Sequence, residues 1–189
     1  MSSSKPASSK RELLLNTALD LFYREGYHAT GIDRILAESG VAKMTLYKHF
    51  KSKDELIMAA LEERHARMRE RVREGMPAEP RAAILAMFDG LHAFLQQQDF
   101  CGCAFIHAAA EFHDRSHPIH RLAAEHKQFI ETFFRTQLER LGAEQPAKLA
   151  RQLQYLAEGV LVMAHMQGPA DQALEARDAA DSLLRGAGL

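Results

Sequence analysis

The sequence predicts an all-α fold of about nine helices, with a three-helix helix-turn-helix unit near the N-terminus and a larger helical domain following it. Three observations predict it. Apolar residues recur at spacings of three and four along nearly the whole chain, the period of a helix with one buried face. No apolar/polar alternation long enough for a useful strand occurs. Residues 30–53, T-G-I-D-R-I-L-A-E-S-G-V-A-K-M-T-L-Y-K-H-F-K-S-K, hold two short helical patterns separated by a tight turn at Ser39-Gly40, where glycine can take a positive φ at no steric cost.

The first helix is expected over 10–25. Leu14, Ala18, Leu21 and Phe22 form its buried stripe and Gly26 closes it. Tyr27, His28 and Ala29 connect to a second helix, with Thr30 as N-cap and Asp33 in the capping-box position. Ile32, Ile35 and Leu36 give that helix its apolar face. A third helix is expected over about 42–47, with Val41, Leu46 and Phe50 inward and Lys43, Met44, Thr45, Tyr47 and Lys48 outward. Ser52 caps a fourth helix over 53–74, whose first turn carries Asp54 and Glu55 and whose second half is charged enough to be a solvated connector. Further helices follow at 81–97, 104–112, from 116 or 117 to 141, 146–167 and 171–184. The fifth buries Ile84, Leu85, Phe88, Leu91 and Leu95, and Pro118 fits a first turn, where its missing N–H costs nothing.

Composition narrows the function. The 189 residues are 47% hydrophobic, enough for one or two compact domains. No apolar run approaches the ~20 residues that span a bilayer. The polar start M-S-S-S-K-P-A-S-S-K has no apolar signal region and reads as a disordered basic arm over residues 1–9. Two cysteines make no disulfide framework, which fits a reducing cytoplasm. The net charge of −1 hides an asymmetry: residues 1–53 hold nine Lys or Arg against five Asp or Glu, and the acidic excess lies after them. Phosphate binding needs a local positive patch, and the basic end is the helix-turn-helix end.

The stretches Leu-Leu-Leu-Asn-Thr-Ala-Leu-Asp-Leu-Phe-Tyr-Arg-Glu-Gly-Tyr-His-Ala-Thr (13–30) and Leu-Tyr-Lys-His-Phe-Lys-Ser-Lys-Asp-Glu-Leu (46–56), with the turn between them, resemble the DNA-binding domain of the TetR family of bacterial regulators. The likeness covers roughly the first third of the chain. Met44 and Leu36 depart from it, standing where a small residue and alanine are frequent. The resemblance implies a DNA-binding domain over 10–55 and a helical effector-binding and dimerisation domain over 56–189. It implies that Lys43, Met44 and Thr45 lie in the major groove, while Tyr47, Lys48 and His49 clamp phosphates. Thr30 with the second helix's N-terminus, and Lys53 with the fourth's, add backbone or ammonium donors. One short helix touches few base pairs, so a symmetric homodimer on a near-palindromic operator is expected, with reading helices about 34 Å apart. Its apolar surface is expected from the last two helices: Leu153, Leu156, Val160 and Met163, with Ala157 and Gly159 allowing close approach, then Leu174, Ala180, Leu183 and Leu184.

The expected function is that of a cytoplasmic transcriptional repressor released from its operator by a small-molecule effector. Phe88, His92, Cys103, Phe105, Ile106, Phe129, Phe133, Tyr155 and Met163 are the candidate pocket residues, although an aromatic and methionine set at helical spacing equally describes a core. Cys101-Gly102-Cys103 resembles a stretch in some TetR-like regulators where a cysteine before the sixth helix senses oxidants or electrophiles, so a thiol-sensing repressor acting through Cys103 is the alternative. The pairs Cys103/His107 and His117/His120 have helical spacing that permits a soft metal, but no compact zinc motif is present, and neither metal nor cofactor is expected. Glu111, His113 and Asp114 could do acid–base chemistry. Without a nucleophile motif, phosphate loop or cofactor fingerprint the chain is not expected to be an enzyme. A nucleoid-type binder with little sequence preference is a further reading.

Overall fold

Ser9 opens the first helix. Its hydroxyl accepts from the Glu12 amide at 3.2 Å, and the Glu12 carboxylate accepts from the Ser9 amide at 2.9 Å, a reciprocal capping box. The signal S-K-R-E is legible in the sequence, so Ser9 belongs to this helix and not to the expected 1–9 arm. The computed structural model describes residues 9–189, and the rest of that arm lies outside the described residues. Among them the chain forms nine α-helices and no strand: α1 (Lys10–Glu25), α2 (Ile32–Ser39), α3 (Lys43–His49), α4 (Lys53–Gly75), α5 (Pro80–Leu95), α6 (Ala104–Glu111), α7 (Pro118–Arg140), α8 (Pro146–Gln167) and α9 (Gln172–Gly186). No helix is long and apolar enough to cross a membrane, among the described residues.

The helices fall into two compact units: one takes the chain through Ala66 together with Ala104–Ala123, the other takes Arg67–Cys103 and Ala124–Leu189. This differs from the sequence division at 55/56. The segment holding α6 and the start of α7 folds with the helix-turn-helix, and the reason is a set of contacts to the connector after α1. The Tyr27 hydroxyl donates to the Ala104 carbonyl at 2.9 Å, and the Glu111 carboxylate accepts from the Tyr27 amide at 2.9 Å. Within this unit Leu14, Ala18, Leu21 and Phe22 of α1 meet Ile35, Leu46 and Phe50, all at or below 1% exposure. Each such buried Leu, Ile or Phe contributes about 1.5–3 kcal/mol over leaving it in water. In α4, Leu56, Ile57, Ala60 and Leu61 are buried, all in its first half, as its charge distribution predicts.

The second unit has its own core. Ile84, Phe88 and Leu95 of α5, Phe134 and Leu138 of α7, Leu153 and Val160 of α8, and Ala180 and Leu184 of α9 form one cluster, in which α5 and α8 each pack against α9. Phe88 stacks on Phe134 with ring centroids 6.0 Å apart. The Glu79 carboxylate caps α5 by accepting from the Arg81 and Ala82 amides, which holds it below the usual carboxylate range.

Candidate DNA-reading site

The turn before the reading helix is built by three adjacent residues. Gly40 takes φ +65°, ψ +14°, and its amide donates to the Leu36 carbonyl at 2.9 Å, closing α2. The Ser39 hydroxyl accepts from the Val41 amide at 3.3 Å. Val41 then drops into the core at 7% exposure, and α3 starts at Lys43. Inside α3 only Leu46 is buried, with Phe50 just beyond its end. The outward face carries Lys43, Met44, Tyr47, Lys48 and His49 exposed and Thr45 half-buried. Met44 is 77% and Tyr47 45% exposed, so neither is held by the core. An exposed methionine between a lysine and a threonine offers a thymine methyl an apolar partner beside two hydrogen-bonding groups.

The expected capping of α2 is corrected. The N-cap is Gly31, without a side-chain cap bond. Thr30 is fully buried: its hydroxyl donates to the Gly26 carbonyl at 2.7 Å and the Leu21 carbonyl at 3.3 Å, and its amide donates to Gly26 at 3.3 Å. Thr30 therefore braces the connector to α1 and has no free donor for a phosphate. Asp33 does not complete a capping box but pairs with Lys43 at 3.2 Å across the turn, a contact the sequence reading missed. Lys53 donates from Nζ to the His28 carbonyl at 3.0 Å. The N-terminus of α4 is capped as expected, with the Glu55 amide donating to the Ser52 hydroxyl at 3.1 Å.

Two helices meet at a glycine turn, with an exposed basic and hydroxyl-bearing face on the second, the arrangement of a helix-turn-helix. Residues 8–60 match the sequence profile of the bacterial regulatory proteins of the tetR family. The Bacillus subtilis HTH-type transcriptional regulator LmrA is 30% identical over 71% of this chain and 74% of its own length. The chain belongs to the TetR family. A solved TetR-family transcriptional regulator from Streptomyces coelicolor superposes with a TM-score of 0.90 at 31% identity, covering 95% of this chain and 96% of that one. The HTH-type transcriptional activator FasR of Mycolicibacterium smegmatis is 38% identical over 44% of this chain, a match that spans only 41% of FasR. TetR-type regulators of this kind are DNA-binding transcriptional regulators, and they usually dimerise.

The candidates for the TetR effector domain divide. Phe88 and Phe133 belong to the core of the second unit, with Phe129 packed against it. Phe105 and Ile106 fall in the unit that holds the reading head. Tyr155 and Met163 are corrected: they are 65% and 41% exposed, on the outer side of α8. That helix has two apolar faces, Leu153, Ala157, Val160 and Ala164 inward and Tyr155, Val162, Met163 and Met166 outward, and period alone does not say which is inside. The same fact takes Leu153 and Val160, with Ala180 and Leu184 of α9, out of the expected dimer surface. His92 buries its Nδ1 without a hydrogen-bond partner. An open groove of about 530 Å³ between α8 and α9 is lined by Leu149, Ala179, Ser182, Leu183, Gly186 and Ala187, none of them a pocket candidate.

Cys103 is 9% exposed, and its sulfur lies 3.3 Å from Lys127 Nζ, which also donates to Glu158 at 2.6 Å. Burial pushes the Lys127 ammonium down, but the facing Cys103 and Glu158 outweigh it, and the group sits above the ordinary lysine value. Neither cysteine is in a disulfide. Two of the three residues weighed for acid–base work have structural partners: Glu111 holds the Tyr27 and His28 amides, and Asp114 accepts from Ser116. His120 Nδ1 lies 2.7 Å from the Phe112 carbonyl oxygen, and no group of three or more His, Cys, Asp or Glu able to hold a metal occurs among the described residues.

Proposed function

We propose that this TetR-family protein is a cytoplasmic repressor that binds a near-palindromic operator as a homodimer and leaves it when a small molecule enters the second unit. One observation carries the reading: residues 43–48 form an exposed ridge whose inward partners, Leu46 and Phe50, are locked at 0% and 1% exposure. The ridge is therefore rigid and free at once, as base reading requires. Lys43, Met44 and Thr45 read base edges. Tyr47, Lys48 and His49 set register on phosphates, joined by the free amides at the start of α2 and α4 with Lys53 beside them. Met163, with Tyr155, Val162, Met166 and the exposed Gly159, supplies a partner-facing stripe on α8, extended by Leu174 on α9. His92, with its bare Nδ1, is the polar group an effector among the aromatics would satisfy. The release needs only that the effector bind the two states with different affinity. Selection of bound duplexes from a random pool tests this: enrichment of an inverted repeat supports it, and enrichment of nothing sinks it.

A second reading is favoured by the Lys127 ammonium 3.3 Å from the Cys103 sulfur, which places a cation beside a nucleophilic atom. On this reading an activated alkene adds to the thiol: the S–C bond forms at the β-carbon and the thiol proton ends on the α-carbon. Operator release by N-ethylmaleimide that is lost in Cys103→Ser supports it. Release that persists in that variant returns the choice to the non-covalent effector.

A further inference from the structure

The connector between α1 and α2 is gripped by a helix far away in the chain. Gly26 takes φ +91°, and a Cβ there would stand 3.2 Å from Glu111 Oε1. The two carboxylate oxygens of Glu111 accept from consecutive amides, Tyr27 at 2.9 Å and His28 at 2.6 Å. The backbone oxygen of the same residue lies 3.0 Å from His28 Nε2. At the other end of α6 the Tyr27 hydroxyl donates to Ala104. The Tyr27 ring, 2% exposed, stacks on Phe22 of α1 at 5.5 Å and meets the Phe112 ring edge-on at 6.4 Å. The eight-residue α6 is thus pinned at one end to the backbone amides of Tyr27 and His28 and at the other to the Tyr27 hydroxyl. Those residues lead straight into Thr30 and the first turn of α2, and Lys53 at the start of α4 holds the His28 carbonyl from the other side.

From this we propose that Glu111 is a positioning residue for DNA recognition: its carboxylate sets the start of α2, and any displacement of α6 reaches the reading helix through the Tyr27 and His28 amides. This rests on the DNA-reading function proposed above and adds the residue through which it is tuned. A carboxylate suits the role because it accepts two parallel N–H bonds and is acceptor-only when ionised. Glutamine keeps the shape but has a single acceptor oxygen, so Glu111→Gln frees one amide without opening a cavity. The α2–α3 turn, closed by Gly40 and Ser39, does not depend on Glu111, so the variant keeps its reading helix and loses its alignment.

The test uses the full-length protein and the operator obtained from the random pool. Wild-type binding to that operator checks the function itself, and its failure removes that reading before Glu111 is tried. For E111Q, active protein is titrated separately from affinity, because simple instability lowers the number of competent molecules and leaves the Kd of the rest unchanged. The expected result is an operator Kd raised about threefold or more, the scale of one net hydrogen bond, at a normal active fraction. Faster hydrogen exchange at the Tyr27 and His28 amides should accompany it. A Kd within twofold of wild type, exchange unchanged at those amides, or a loss confined to the active fraction overturns the proposal. Should E111Q fail to fold, Glu111→Asp, which keeps both acceptor oxygens but draws them back from the Tyr27 and His28 amides, decides by the same readings.

Discussion

The helix-turn-helix and the second unit each leave large apolar side chains in water, but in different company. Met44 and Tyr47 stand among Lys43, Lys48 and His49 on a seven-residue helix. Tyr155, Val162, Met163 and Met166 form an apolar stripe on α8, where Glu158, between Tyr155 and Val162, is only 25% exposed and already paired with Lys127. An apolar atom flanked by cations suits a polyanion that carries methyl groups in its grooves. An apolar stripe without unpaired charge suits a second protein surface, where charged groups are depleted at the core. The difference teaches that exposure alone does not name a partner, and that the charge beside it does.

The sharpest way to break this contrast is to change Lys43, Met44, Thr45, Tyr47 and Lys48 together to alanine. Operator affinity should fall by about two orders of magnitude or more, at roughly 1–3 kcal/mol for each good base contact, while circular dichroism stays helical. Electrophoretic mobility shift measures it, and retained binding removes the head from the comparison. Next in size is Met163→Glu with Met166→Glu, which places charge in the α8 stripe. Sedimentation should show single subunits, and operator binding should weaken by roughly a hundredfold as the second head no longer binds from a tethered position. A dimer that survives would assign that stripe to another partner. Met44→Ala sharpens the chemistry: a loss of about tenfold on the operator should vanish when the facing thymine is replaced by uracil, which lacks the 5-methyl group. The smallest effect is Ser52→Ala, expected to cost about 1 kcal/mol in denaturant unfolding by uncapping α4.

The head was legible because its signals are local. Ile35, Leu46 and Phe50 are buried where the helical period puts them, and Gly40 turns where glycine is needed. Even there one local rule lost: the Thr30 hydroxyl reaches back four residues to Gly26 instead of forward to α2, a competition with capping open to every threonine. The placement of α6 was not legible at all. Glu111 and Tyr27 are 84 residues apart, and no pattern in either neighbourhood announces that they meet. The inward face of α8 was not legible either, since the sequence marks every apolar residue of that helix and says nothing of which face another helix has already covered.

The Asp33–Lys43 pair has a consequence for how binding responds to ionic strength. A carboxylate 3.2 Å from the ammonium, both exposed, acts as a partial counterion, so on the proposed function Lys43 comes to the duplex partly neutralised. When it turns to the groove it exchanges one anion for another and displaces less charge than a bare lysine would. Affinity should then decline with added salt more gently than the number of basic side chains on the face suggests. Asp33→Asn should steepen that decline by about one unit of the logarithmic slope, per subunit, as the lysine becomes a full participant in counterion release.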